Sequence, residues 1–538
     1  MITQVSLRNV RLFADETRTF RLAPLTVFCG SNSSGKSTIL KIFPLLRQSQ
    51  GIRESAEEES GKLRFKGTQV DLGNYSSLVS HNEITRHIHL GIRVNSQMSQ
   101  HLLALLTFVK QKRTGEFTPE NLPDDPVNYE LDCSFEFFGE PPDRATPPSA
   151  KPDKLATGGL LKASFAIIVK GEVLLPWSVE KLEAVTDKPS PNPFTGEATQ
   201  RLYKFSFPSQ FFETTGMAEQ ILAQESDRPE DTTLIAILRG LLPTALVADP
   251  KPEPTNPPAE SEHNWQRWPL PPIIDWQFEH FKNALLNIHY VAPLRSPGKR
   301  YYVADLDVTP GMDPTGEFLP YILRDKRTTQ VVNALPNSLG TPKEQSLAEA
   351  LGGWLRYLRT GSFTGVETKQ TEFDLATAEI LVELKLKSVG QGHKHSLADS
   401  GFGYSQIVPV LVRGLLVPPD GTLIVEQPEL HLHPALQVRI ADFFLAMASV
   451  GKQVILETHS EHLVNALRVK AAEDTDNKIH QLCKIYYLST DSDTPQVHDL
   501  SVQPDGSLNE WPESFFGEAL SLSGRLLQAQ KKMRQNKH

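Results

Sequence analysis

LTVFCGSNSSGKST, residues 25–38, decides the fold of this chain. Its first five residues are apolar or β-branched and read as a buried strand. The next nine, GSNSSGKST, fit the pattern GxxxxGK[ST], and residues 36–48 then read as a helix. Each part has a chemical task. Gly30 and Gly35 let backbone N–H groups turn inward around an anion, with Ser31, Asn32, Ser33, Ser34 and Thr38 completing the cradle. Lys36, expected at the loop surface, reaches the outer phosphates, and the Ser37 hydroxyl meets Mg²⁺. The positive end of the helix faces the same anion. Strand, glycine loop and helix together predict a nucleotide-binding α/β domain.

Three later clusters extend this reading. Residues 423–434 are LIVEQPELHLHP, an apolar strand that delivers Glu426 to its carboxyl end, where a Walker B acid holds Mg²⁺. Residues 454–463 are VILETHSEHL, a second apolar strand after which His459 is placed to meet a γ-phosphate. Residues 399–409 are DSGFGYSQIVP. There Gly401 and Gly403 precede Ser405 and Gln406 at the start of a helix, a second helix N-terminus suited to phosphate.

The remainder sets bounds. The 538 residues are 39% hydrophobic and 22% charged, which excludes wholesale disorder. A net charge of −9 disfavours a surface that coats nucleic acid, although a local basic patch is compatible with it. The three cysteines, Cys29, Cys133 and Cys483, form no CxxC pair, so a zinc ribbon and a disulfide framework are both excluded. The first residues read as an amphipathic strand, and no apolar run is long enough to span a bilayer, so a soluble cytoplasmic protein is expected. Prolines cluster at 140–152, 187–193 and 249–258, which read as extended linkers. Strands are expected at 2–10, 84–94, 129–138, 160–169 and 202–207, and helices at 217–242, 276–286, 345–360, 404–416, 433–447 and 460–473. The expected division is an N-terminal part of the head (1–207), a helical, proline-flanked insertion (208–284), a C-terminal part of the head (285–500) and a short C-terminal extension with a basic tail (501–538).

This order of motifs resembles the ABC-type ATPase heads of the SMC chromosome proteins, the RecF repair protein and the zinc-hook repair ATPases. Asn32 in the loop, EQPELHLHP at 426–434, THSEHL at 458–463 and IHYVAPLR at 288–295 look like the AAA-family ATPases of bacterial anti-phage defence. Those include the PtuA-like subunit of Septu systems, some retron effectors and the OLD nucleases. DGSLNEWPESFFGE, residues 505–518, is similar to the short domain that ends many of them. The resemblance implies an α/β ABC-type head, with a P-loop lobe and an antiparallel β lobe, that binds ATP and Mg²⁺ between two protomers. It gives Lys36 and Ser37 to phosphate and Mg²⁺, Glu426 to Mg²⁺, His459 to the γ-phosphate and the segment from Ser400 to Gln406 to the opposing nucleotide. Arg11 matches a position that reaches nucleotide phosphate in such heads, a solvated strand-edge arginine being the other reading. Gln69, in QVDLGNYSSLV at 69–79, is the Q-loop candidate.

One departure bears on catalysis. The residue after the Walker B acid is a water-positioning Glu in most ABC heads, and here it is Gln427. A carboxamide orients water but cannot take its proton. Either Glu429 substitutes or hydrolysis is slow. No Toprim or HNH pattern is found, and Asp491 and Asp493 read as a turn, so the nuclease is expected on a separate subunit, of HNH type. His431 and His433 read as a loop crossing to the other protomer. The expected assembly is a homodimer through the heads, with further oligomerisation and a contact to retron or target nucleic acid left open, and no membrane partner. The alternative is a repair or chromosome-maintenance ATPase of the RecF or zinc-hook kind acting directly on DNA.

Overall fold

A computed structural model describes residues 1–50, 61–110, 125–140, 157–181, 203–206, 234–248, 266–268, 270, 272–305, 313–335, 339–358, 363–374, 379–388, 394–399, 402–490, 495–512, 515, 522 and 524–530. The chain forms two interleaved units. One comprises Met1–Leu22, Thr38–Ile288 and Asp420–Thr422; the other comprises Ala23–Ser37, His289–Pro419 and Leu423–His538.

The second unit holds the P-loop sheet. Its strand order is Ile288–Val291, Thr422–Glu426, Gln453–Thr458, Leu25–Gly30, Cys483–Ser489, Gln496–Ser501. Leu25–Gly30 pairs in parallel with both neighbours, Glu457 lying opposite Phe28 and Tyr487 opposite Cys29. Strands buried on both faces read as continuous apolar runs, and LTVFC, LIV and VIL do. The core of this unit continues through Trp354, which meets Phe443 edge-to-face at 5.0 Å. The helices Leu347–Leu358, Phe402–Leu416, Pro434–Ser449 and Glu461–Glu473 contribute most of the remaining apolar residues. Phe515, from the stretch similar to the terminal domain, meets Tyr487 edge-to-face at 5.1 Å, and Arg468 stacks over Trp511 at 5.0 Å.

The first unit is built on an antiparallel sheet. Its order is Gln266–Trp268, Leu242–Ala248, Leu234–Arg239, Tyr203–Ser206, Glu172–Lys181, Thr157–Val169, Val127–Glu140, Ile88–Met98, Ile2–Arg8, Arg18–Arg21, with Lys62–Leu63 paired to Thr157–Val169. Period-two alternation puts Phe135, Phe165 and Trp177 on one face, which the helix Pro272–Leu286 covers. Trp177 stacks on Phe165 at 4.0 Å, Phe278 meets Trp177 edge-to-face at 5.0 Å, and the indole N–H donates to Gln277 Oε1 at 2.9 Å.

The helix expected over 217–242 is corrected where the structure describes it. LIAILR and LPTALVA form a hairpin, Leu234–Arg239 against Leu242–Ala248, with Arg239 opposite Leu242. Gly240 turns the chain at φ 61°, and a Cβ there would lie 2.6 Å from the Gln50 backbone. An apolar run this short carries no decisive period, and the glycine turn followed by Pro243 is the signal that reads as a hairpin. Strand therefore continues to residue 268, and helix begins at 272. The linkers at 187–193 and 249–258, all of 140–152 except Glu140, and Asp491 and Asp493 lie outside the described residues.

Candidate functional site

The P-loop leaves its strand at Gly30, where φ is 128° and a Cβ would sit 2.0 Å from the Leu488 carbonyl oxygen, so only glycine fits. Gly35 has φ 96° and Ser33 φ 59°, and Ser34 Oγ donates to the Ser31 carbonyl at 2.9 Å. Ser31, Asn32 and Ser33 are exposed.

Lys36 is not the surface cation expected. It is 2% exposed, and its Nζ donates to the carbonyls of Ser31 and Gly30 at 2.5 and 3.2 Å and to Ser34 Oγ at 3.3 Å. Burial pulls the ammonium pKa down, and the carboxylates of Glu457 and Glu429 are among the charges that pull it back up. The loop's carbonyls solvate the charge, which explains how a lysine here is buried without leaving its donors unmet.

Four strand ends supply the surrounding groups. Ser37 Oγ donates to Glu457 Oε1 at 2.9 Å. Glu457, 2% exposed, was not singled out as a site residue from the sequence. Its signal is an acid at the end of an apolar strand directly before Thr458 and His459, the same pattern that marked Glu426. Glu426 is 1% exposed, and its Oε1 accepts from the Tyr290 hydroxyl at 2.6 Å. The phenol's pKa is raised, first by burial and then by Glu426. Arg295 donates through Nη2 to the carbonyls of Glu426 (2.8 Å) and Gln427 (3.3 Å). Burial lowers its pKa to about 10. Its Nε and Nη1 make no hydrogen bond among the described residues.

Gln427 adopts φ 46°, and its N–H donates to the Glu457 carbonyl at 2.8 Å. The turn carries Glu429 back to Gln453–Thr458, here termed the switch strand, where Oε1 accepts from the His459 N–H at 2.7 Å while Oε2 is buried with no hydrogen bond among the described residues. Burial raises the Glu429 pKa, and the His459 N–H and the Thr458 hydroxyl partly offset that. His459 is held below the usual imidazole range by burial and by the Lys36 charge, against a contact with the Gly30 backbone. It is therefore neutral near pH 7 and lies beside the P-loop. Ser460 caps the next helix, its Oγ accepting from Leu463 N–H at 3.1 Å and donating to Gln437 Oε1 at 2.6 Å.

The structure thus gathers Lys36, Ser37, Glu429 and His459 at the P-loop, with Gln427 joined to Glu457 and Glu426 held by Tyr290 one strand further on. Other expected residues fall elsewhere. Ser405 and Gln406 are 3% and 2% exposed, and Gln406 Nε2 donates to Ser405 Oγ at 3.3 Å. Both side chains thus pack inward within the chain. Gly403 is half-buried next to the His431 carbonyl, and Ser400 and Gly401 lie outside the described residues. Arg11, at φ 49°, and Gln69 belong to the first unit, where the Arg11 N–H donates to the Leu78 carbonyl at 2.7 Å. His433 caps Pro434–Ser449, with Nδ1 accepting from the Ala435 N–H at 3.3 Å. The oxygen donors at the P-loop, a hydroxyl beside a carboxylate, suit a hard cation such as Mg²⁺, which takes one or two protein ligands and completes its shell with phosphate and water. Among the described residues no group of three or more His, Cys, Asp or Glu side chains could hold a metal without such help. The three cysteines are buried and free.

Residues 334–464 match the family model of an AAA ATPase domain. The chain carries an AAA-type ATPase domain. Residues 480–526 match a second family model, a protein family of unknown function (DUF3696). No curated protein matches the chain. Among solved structures the chain is similar to an SMC head bound to the C-winged helix domain of ScpA, at 12% identity and TM-score 0.36, covering 94% of this chain and 98% of that one. The SMC head domain from Thermotoga maritima gives 9% identity and TM-score 0.32, covering 93% and 98%. An SMC head with an extended coiled coil, bound to the C-terminal domain of ScpA derived from Pyrococcus furiosus, gives 10% identity and TM-score 0.34, covering 93% and 96%. Among the described residues no helix is long and apolar enough to cross a membrane.

Proposed function

We propose that this chain is the ATP-binding subunit of a bacterial anti-phage defence complex, an ATPase whose nucleotide state controls a separate nuclease. The observation that carries the nucleotide reading is the convergence on one P-loop of Lys36, Glu429 and His459, with Ser37 hydrogen-bonded to Glu457. Lys36, already bonded to loop carbonyls, exchanges them for phosphate oxygens. Ser37 with Glu457 and Glu426 around it would hold Mg²⁺, whose charge would neutralise the phosphates. Neutral His459 accepts or donates a hydrogen bond at the γ-phosphate. Glu429, with one oxygen held by the His459 N–H, takes the proton of the attacking water in place of Gln427.

The defence role rests on the combined motifs EQPELHLHP, THSEHL and IHYVAPLR and on the lack of any nuclease pattern in the sequence. Heads of this kind act as dimers, and we extend that assembly and a cytoplasmic location to this chain. The test uses the native operon carried in a phage-sensitive host. Lys36→Ala abolishes ATP binding by the purified protein and removes protection in plaque assays, and the parent co-purifies with a nuclease subunit. A Lys36→Ala protein that binds ATP like the parent refutes the P-loop reading. A parent that binds ATP yet gives no protection and captures no nuclease refutes the defence reading alone.

A further inference from the structure

We propose that Glu457, at the end of the switch strand, is the carboxylate that meets the bound Mg²⁺ directly, and that Glu426, at the end of the Walker B strand, acts behind it. The inference rests on the nucleotide reading above and sharpens it to a single ligand.

The first support is geometric. Mg²⁺ binds oxygen at about 2.0–2.1 Å in an octahedron, so two adjacent ligands lie about 2.9 Å apart. Ser37 Oγ and Glu457 Oε1 are 2.9 Å apart. The hydroxyl that a P-loop gives to Mg²⁺ is thus already paired with the carboxylate needed on the next vertex, and the ion takes up the position between them with no rearrangement of either side chain.

The second support is topological. Gln453–Thr458 is the direct neighbour of the P-loop strand, whereas Thr422–Glu426 is one strand further away. At about 4.8 Å per strand, Glu426 begins its reach from nearly twice as far. The third is the state of Glu426 itself. Its Oε1 accepts the Tyr290 hydroxyl at 2.6 Å, and its own carbonyl is pinned by Arg295 at 2.8 Å. A carboxylate oxygen that accepts a short bond from a buried phenol is restrained in orientation and gives up charge density there. Glu426, Tyr290 and Arg295 then form a buried frame that fixes the turn at Gln427, whose N–H in turn holds the Glu457 carbonyl.

The test measures ATP affinity of the full-length chain with Mg²⁺ and with EDTA, and Mn²⁺ bound together with ATP by electron paramagnetic resonance. The parent binds ATP more tightly with Mg²⁺. Glu457→Gln loses that increment by at least about tenfold, as a ligand should when removal of even an outer partner costs 10–100-fold. It keeps the EDTA affinity, and the signal of bound Mn²⁺ disappears. Glu426→Gln, which removes an outer partner, lowers the increment but keeps the Mn²⁺ signal. A Glu457→Gln protein with both intact, or a Glu426→Gln protein that loses both, overturns the assignment. If Glu457→Gln does not fold, Glu426→Gln decides by the same criterion. Loss of ATP binding in EDTA by Lys36→Ala reports on the P-loop reading independently, so the two failures are distinguishable.

Discussion

Gln427 and Glu429 show how two residues in one turn divide a task. Gln427 holds φ 46° and ties the turn to Glu457 through its backbone, so its contribution is conformational as well as chemical. Glu429 carries the raised pKa of a general base in waiting. Glu429→Gln is expected to lower kcat by about 10²–10⁴-fold with ATP binding retained, measured as phosphate release at saturating ATP. Gln427→Glu is expected to raise kcat by less than that range, because a base is already in place. A Gln427→Glu protein faster by the whole range, with Glu429→Gln unaffected, would place the base at 427. The pH profile follows from the same group. Because burial raises the Glu429 pKa, the carboxyl is protonated at pH values where an ordinary glutamate, near 4.5, is ionised. Turnover therefore falls on the acid side at a higher pH than a solvated carboxylate would give, and Glu429→Gln removes that limb from the residual rate.

At the scale of elements, the switch strand and its helix act as a single positioning device. Ser460 closes the first turn of Glu461–Glu473 and reaches across to Gln437 on Pro434–Ser449. Ser460→Ala removes the cap and leaves Gln437 without that donor, at a cost of about 1–2 kcal/mol. The melting temperature is expected to drop, and ATP affinity with it, because His459 is the adjacent residue. Unchanged affinity with a lowered melting temperature would show that the cap stabilises the helix without positioning the site. Gly30→Ala tests the neighbouring strand end at the same edge of the sheet. A Cβ 2.0 Å from the Leu488 carbonyl oxygen cannot be relieved by a rotamer change, and the positive φ penalises any side chain. The loop must move, and ATP binding is expected to fall below detection in a nucleotide-binding assay while the circular dichroism spectrum keeps its α/β shape.

For the whole molecule, a head that completes its site across two protomers has a concentration signature. ATP turnover per chain should rise with protein concentration and then plateau. Glu429→Gln, which binds without hydrolysing, should shift from monomer to dimer by light scattering when ATP is added. Turnover strictly proportional to concentration, with a monomer in saturating ATP, would mean that one chain suffices. Lys36→Ala should remain monomeric under both conditions, which separates nucleotide-driven association from association through any other surface.

The sequence by itself determined the P-loop, its strand and helix, the Walker B and switch strands and the α/β class. These are local signals, since glycine spacing, apolar runs of strand length and residue order survive without knowledge of neighbours. It also left two readings of Gln427, replacement by Glu429 or slow hydrolysis. Only the tertiary structure decided what meets what. Glu457 pairs with Ser37 across 420 residues of sequence, and Tyr290 with Glu426 across 136, separations at which no local pattern carries information. Burial of Lys36, Ser405 and Gln406 was likewise invisible, because polarity predicts exposure unless partners supply hydrogen bonds, and those partners are loop carbonyls or distant side chains. The segment 234–242 of the hairpin reads as helix for the related reason that an apolar segment takes its secondary structure from the strand that receives it, here Tyr203–Ser206.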